Sequence, residues 1–314
     1  MTDDAPDVLG AGWTARTLPL RPDGGSPDPV ATLVHRTGSP SRRALLYVHG
    51  FVDYFFHAAL GDALAAHGYD VYALDLRDYG RSIRDGRPPN HVTDLGAFAE
   101  ELDAAIRLLR ADHDEVVLLG HSMGGLVTSL WADSRRGEGL IDALVLNSPW
   151  LDLRGSWFER TVFTSVLDVV GKVAPNLVVS GIDPYYGRAL HQSTGGEWSY
   201  DLAWKPFDGF PARAGFARTV RRGHARVARG LDIDVPVLVL ASDASGPDDA
   251  WHDALVTTDS VLDVAHIKER APLLGPDVTF VEIPGGAHDL ALSPAPARDT
   301  YVGEVLAFLD ARLP

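Results

Sequence analysis

Between Ala44 and Trp150 the chain alternates apolar runs of strand length with stretches of helical period. "ALLYVHG" (Ala44–Gly50), "DVYALDL" (Asp70–Leu76) and "EVVLLG" (Glu115–Gly120) read as buried strands, and "LIDALVLNSPW" (Leu140–Trp150) contains another. Between them, "YFFHAALGDALAAHG" (Tyr54–Gly68), "TDLGAFAEELDAAIRLLRAD" (Thr93–Asp112) and "SMGGLVTSLWADSR" (Ser122–Arg135) have helical spacing. Thr93 or Asp94 is the expected N-cap of the second. Strands separated by helices at this spacing predict a mostly parallel, doubly wound sheet flanked by helices, an α/β fold.

The rhythm stops between Trp150 and about Gly230. Four of the seven tryptophans (Trp150, Trp157, Trp198, Trp204) lie in this block, with Tyr185, Tyr186 and several Gly and Pro. It then resumes with "VPVLVLAS" (Val235–Ser242), "VLDVAHIKERAPLL" (Val261–Leu274), "VTFVEIPG" (Val278–Gly285) and "ARDTYVGEVLAFLDAR" (Ala297–Arg312). The expected organisation is one sheet domain from 1–149 and 231–314, with residues 150–230 inserted as a cap. A length of 314 residues fits one large domain with an insertion.

A net charge of −15, dispersed along the chain, argues against attraction to nucleic-acid backbones or anionic membranes. The absence of cysteine removes disulfides, thiolate metal sites and a cysteine nucleophile. "MTDDAPDVLGAG" has neither a basic start nor an apolar core, and no apolar run approaches the ~20 residues of a membrane span. A cytoplasmic protein with no integral membrane segment is expected.

Gly120-His121-Ser122-Met123-Gly124 fits G-x-S-x-G, a weak match alone in a chain with 31 glycines. Its context is specific, because it follows an apolar strand and opens a helix, as a nucleophile elbow must. A serine hydroxyl needs a base to attack a carbonyl at neutral pH. Of 12 histidines, His288 stands in a Gly-rich loop, "PGGAHD", after the last predicted strand, where sites on parallel sheets form. An acid must hold the imidazole's tautomer. Asp243, just past Val235–Ala241, and Asp259, after a polar Asp-rich stretch, both preserve the order Ser, Asp, His. The oxyanion donors are expected to be the amides of Met123 and of Phe51, in the loop after "LLYVHG". His49 is expected to hold that loop by hydrogen bonds.

These segments resemble the α/β-hydrolase superfamily along nearly the whole chain. "HGF" (His49–Phe51) is similar to its oxyanion loop, "GHSMGG" to its elbow and "GGAHD" to its histidine loop. "DLRDYGRS" (Asp75–Ser82) is similar to D-x-R-G-x-G-x-S, with Asp78 where glycine is usual. "NSPWLDL" (Asn147–Leu153) resembles the cap entry of the serine aminopeptidase S33-like group, which includes monoacylglycerol lipases and lysophospholipases. In that group the acid follows a small polar turn, and "TTDSVLDV" matches at Asp259. The resemblance implies an α/β-hydrolase fold and a serine esterase or lipase-like enzyme: Ser122 as nucleophile, His288 as base, Asp259 as acid. Relatives that cleave haloalkanes or epoxides carry Asp at the elbow, so Ser122 points to acyl transfer. The expected partner is a small ester with an apolar acyl or aryl group. No cofactor and no metal are implied, because no P-loop, dinucleotide fingerprint or metal-ligand spacing is present. Amide or peptide hydrolysis, and a non-catalytic ligand-binding relative, are the alternatives.

Overall fold

The structure, a computed structural model, describes residues 4–154, 167–181 and 183–313. In chain order the strands are β1 (Ala5–Pro6), β2 (Trp13–Pro19), β3 (Val30–Arg36), β4 (Arg43–Val48), β5 (Asp70–Asp75), β6 (Glu115–His121), β7 (Ala143–Asn147), β8 (Val178–Ser180), β9 (Ala212–Arg213), β10 (Val237–Ser242) and β11 (Val278–Ile283). One nine-stranded sheet runs β1-β2-β3-β5-β4-β6-β7-β10-β11, and β8 and β9 form a separate antiparallel pair. β1, β2, β3 and β5 pair antiparallel in turn, and from β5 to β11 every pairing is parallel. The expected mostly parallel sheet is present.

Helices cover both faces: α1 (Ala58–Ala66), α2 (Ala99–Asp112), α3 (Met123–Ser134), α4 (Tyr185–Leu190), α5 (Ala214–Val227), α6 (Val264–Arg270) and α7 (Ala295–Arg312). Alternate residues of one strand feed opposite layers. Leu46 and Val48 pack with Leu102, Ile106, Leu126 and Phe216, whereas Leu45 and Tyr47 pack with Leu60, Leu64, Tyr301 and Phe308. Both faces are buried, which is why these strands read as unbroken apolar runs.

Three helices start later than their periodicity suggests, the run from Val261 becoming helical only at Val264. The run from Tyr54 becomes helical only at Ala58. Its first residues are drawn elsewhere: the Phe55 N–H donates to Asp75 Oδ1 at 3.0 Å, Phe55 joins the layer of Leu45 and Tyr47, and Tyr54 and Phe56 join a third cluster. The run from Thr93 opens as a 3₁₀ turn, Leu95–Phe98, before α2. Asp94, not Thr93, caps it by accepting the Gly96 N–H at 2.9 Å. Asp78, where the resembled pattern has glycine, has φ 63°. That explains the glycine preference, and here Arg87 pairs with the Asp78 carboxylate at 2.6 Å.

Residues 155–166 and 182 of the expected insertion, Trp157 included, lie outside the described residues. Within the rest, Trp198, Tyr200, Trp204 and Phe207 pack against Tyr54, Phe56 and Leu292 of the sheet domain. These aromatics share a core with the segment after β4. Among the described residues no helix is long and apolar enough to cross a membrane.

Candidate active site

The parallel register sets the ends of the central strands level: Val48 lies beside Gly120, His121 beside Asn147, and Leu240 beside Asn147. The loops that leave these ends meet at one edge of the sheet.

Ser122 forms the turn from β6 to α3 with φ 51° and ψ −116°, a conformation side chains rarely adopt. Its N–H donates to the Asn147 carbonyl at 3.0 Å, and its own carbonyl accepts from Leu126 and Trp150. Those bonds hold the strain. Gly124 permits the turn, because a Cβ there would strike the carbonyls of Val48 and His49.

His288 Nε2 lies 3.1 Å from Ser122 Oγ, and His288 Nδ1 lies 3.0 and 3.1 Å from the two oxygens of Asp259. A carboxylate can only accept, so Nδ1 carries the proton and Nε2 presents its lone pair to the serine hydroxyl. Asp259 is fully buried and also accepts the N–H groups of Val261 (3.0 Å) and Leu262 (2.7 Å). Burial pushes its carboxyl up, but the His288 charge and hydrogen bond, with the two amides, hold it below its ordinary value. Asp243 stands apart. It is exposed and accepts the Gly285 N–H at 3.0 Å. Asp263 caps α6 through the Ala265 N–H.

The extra stretch after Ser242 leaves and returns. Ser245 bridges to Asp259; the Gly246 N–H donates to the Asp259 carbonyl (2.9 Å), and the Asp259 N–H to Ala244 (2.8 Å). This pairing delivers Asp259 to the histidine.

Met123 is the first residue of α3, so its N–H has no partner within the helix. The Gly50–Phe51 loop passes close over the serine: a Cβ on Gly50 would lie 3.1 Å from Ser122 Cβ. His49 braces that loop, accepting the Leu76 N–H at Nε2 (3.0 Å) and donating from Nδ1 to the Gly50 carbonyl (2.8 Å).

A second buried polar network lies beside this chain of contacts, and the sequence did not reveal it. Asp289 accepts from His57 Nε2 (2.7 Å), Asn147 Nδ2 (2.8 Å) and the Ala291 N–H (3.0 Å), while its own N–H donates to the Tyr186 hydroxyl (2.9 Å). Burial opposes its charge, yet His121, His57 and Asn147 hold its carboxyl well below the usual carboxylate range. His121 donates from Nδ1 to the Asn147 carbonyl at 3.1 Å, and burial pushes its pKa down to about 4. Ligand-type atoms of Asp53, His121 and Asp289 lie within 4.8 Å of one another, so this trio could contact a cation. Both carboxylates already have protein donors, Asp53 from Lys205 (2.6 Å) and Asp289 as above. His57 and Asp289 are 232 residues apart, and no short-range spacing signals their meeting.

A cavity of about 440 Å³ opens over Ser122 and His288. Phe51, Trp150, Phe207, Phe216, Val220 and Leu262 form much of its apolar wall, with Asp53, Lys205 and Asp289 on its polar side.

The family model of serine aminopeptidase, S33, matches residues 39–294. The chain is 31% identical over 140 residues to phospholipase YtpA of Bacillus subtilis (strain 168), covering 43% of this chain and 50% of that one. It is 26% identical over 165 residues to epoxide hydrolase 1 of Caenorhabditis elegans, covering 52% and 36%. The matches thus span half or less of the length of these curated relatives. Among solved structures, the monoacylglycerol lipase of Paleococcus ferrophilus superposes with a TM-score of 0.67 at 19% identity, covering 96% of this chain and 99% of that one. A soluble variant of the monoglyceride lipase of Saccharomyces cerevisiae gives 0.67 at 15% identity, covering 95% and 96%. These likenesses establish the α/β-hydrolase fold. With the family model matched from residue 39 to 294, the chain belongs to the serine aminopeptidase S33 family of α/β-hydrolases.

Proposed function

We propose that the protein is a serine hydrolase of carboxylic esters, working through an acyl-enzyme on Ser122. The observation that carries this reading is the unbroken contact from Ser122 Oγ through His288 to buried Asp259. In this reading His288 Nε2 takes the hydroxyl proton as Oγ attacks the ester carbonyl. Asp259 holds Nδ1–H and stabilises the imidazolium. The Phe51 and Met123 amides receive the oxyanion. His288 then passes the proton to the leaving alcohol, and water repeats the sequence to release the acid.

The apolar wall supports an acyl or aryl group as the part of the ester held in the cavity. Phospholipase and monoacylglycerol lipase relatives favour a lipid-like ester. The polar wall bears on the aminopeptidase alternative, because an amine substrate needs an available carboxylate near the serine. Asp53 and Asp289 are instead engaged by Lys205, and by His57 with Asn147. The assembled Ser, His and Asp favour an enzyme over a non-catalytic binding relative. Residues 150–230, we propose, act as a cap that contributes Phe207, Phe216 and Lys205 to the cavity.

Turnover of p-nitrophenyl esters of graded acyl length, set beside aminoacyl amides, tests the reading together with phosphonate labelling of Ser122. Ester turnover with stoichiometric labelling is the expected outcome. Amide turnover exceeding ester turnover, or no labelling, would replace it.

A further inference from the structure

The segment that follows β4, Gly50 to Phe56, is contacted by residues of the insertion at Phe51, Asp53, Tyr54 and Phe56. Phe51 stacks on Phe216 at 4.6 Å and 16°. The Asp53 carboxylate meets Lys205 Nζ at 2.6 Å. Tyr54 packs edge-on against Trp204 at 5.1 Å, and its hydroxyl accepts the Asp201 N–H at 2.7 Å. Phe56 lies 5.0 Å from Tyr200. Four of these contacts are apolar or neutral. The fifth is an ion pair whose acidic member is 1% exposed and whose basic member lies over the rings of Phe56 and Tyr200.

The loop needs holding. Val52, β-branched, has φ 49°, where such a residue is strained. It sits between Phe51, the proposed oxyanion donor, and Asp53. The second oxygen of Asp53 accepts the Gly50 N–H across 3.4 Å, so one carboxylate closes the Gly50–Asp53 turn and faces the insertion at the same time. Its other charged and titratable neighbours are His57, His121, His49, the Asp289 carboxylate and the hydroxyls of Tyr47, Tyr186 and Tyr200. Burial disfavours its charge; Lys205 is the foremost of the groups that hold it ionised. Without that ammonium the loop would keep a buried, stranded carboxylate, which can relieve itself only by moving toward water or taking a proton. Either change shifts the turn that presents the Phe51 amide.

We propose that Lys205 is a positioning residue: by holding Asp53 from a separate segment of the chain it sets the Gly50–Asp53 turn, and with it the oxyanion hole, so that the hole is complete only when the segment carrying Lys205 is seated. This rests on the serine-hydrolase reading. It adds a residue 152 positions from Asp53 to the parts that set turnover. It also makes the insertion a determinant of rate as well as of substrate choice.

The test compares wild type with Lys205→Met, Lys205→Arg, Asp53→Asn and the Lys205→Met/Asp53→Asn double variant. The readouts are kcat and KM on one activated ester, and the Kd of an alkyl boronic acid that forms a tetrahedral adduct on the serine. Losing one oxyanion donor costs about 10²–10³ in kcat; a misplaced donor should cost about 10–100-fold. Lys205→Met is expected to lose that factor in kcat and in boronate affinity, with KM within about twofold. Lys205→Arg should recover part of it. The double variant, which has no stranded charge, should fall short of wild type but lose less than the two single losses multiplied. Wild-type kcat in Lys205→Met overturns the proposal, as does a raised KM with kcat and boronate affinity intact, which would make Lys205 a wall residue only. Should Lys205→Met not fold, wild-type kcat in the double variant overturns it equally. Failure of wild type itself to bind the boronate or to take the phosphonate label would sink the serine-hydrolase reading and this proposal with it, a result separable from any variant effect.

Discussion

His288 Nε2 reaches Ser122 Oγ across 166 residues of chain, at 3.1 Å. The two belong to different strand ends and meet only because β6 and β7, then β7, β10 and β11, pair in parallel register. Replacing Ser122 with Ala should lower ester kcat by about 10⁵ or more and leave the thermal transition close to wild type, since Ala fits the elbow. Near-wild-type turnover in Ser122→Ala would remove the serine from the mechanism.

Asp259→Asn should lower kcat by about 10⁴, and Asp243→Asn should change it by less than about threefold. The first carboxylate is buried against His288 Nδ1, and the second is exposed on the Gly285 amide. Steady-state kinetics on the pair decide between them. The reverse ranking would place the acid before the loop excursion.

Stability should fall as pH drops from about 6.5 toward 4. Burial lowers the pKa of His224 to about 3, with the Arg221 charge adding to it, and burial lowers that of His121 to about 4. In this window the unfolded chain binds protons at these histidines that the folded chain refuses, so unfolding free energy rises with pH. The effect is on the order of a few kcal/mol across the two sites. Asp259 and Asp289, held below their ordinary values, add a further loss in stronger acid, present above the unfolded carboxylate range and lost as pH falls through their folded values. Urea titrations at several pH values read the slope. His224→Gln should flatten it between pH ~6.5 and ~4, and an unchanged slope would remove His224 from the account.

Phe216→Ala should destabilise the protein by about 3 kcal/mol, as expected for a fully buried ring. It should also shift acyl preference toward bulkier chains, because the ring forms part of the cavity wall and stacks on Phe51. Thermal melts and a graded ester series measure both. A shift in stability with no change in preference would mean the wall closes over the gap.

The central strands, α3 and the elbow were legible because each is coded locally. Gly120 and Gly124 flank one serine at a strand-to-helix junction, and the apolar runs of β4, β6, β7 and β10 are unbroken. Asp259 was legible only as one of two candidates. What brings it, and not Asp243, to His288 is the backbone pairing of Ser245 with Asp259, a contact that no local pattern encodes. The late start of α1 depends on Asp75 taking the Phe55 amide. The Asp289 network needs His57, Asn147 and Tyr186 from three separate segments. Lys205 looks in sequence like any surface lysine, and its partner Asp53 lies 152 positions away in the chain.

The pairing of Ala244, Ser245 and Gly246 with Asp259 separates the position of the proposed acid from the length of chain that precedes it. Residues 249–251 bulge outward, with Trp251 56% exposed. Closing a longer loop on such a clasp adds little entropy cost, about 0.6 kcal/mol per doubling. A peptide tag or a fluorescent reporter spliced between Asp249 and Trp251 would therefore hang from the rim of the cavity while the carboxylate stayed in place. This surface is where such a chain can gain new sequence without disturbing its chemistry.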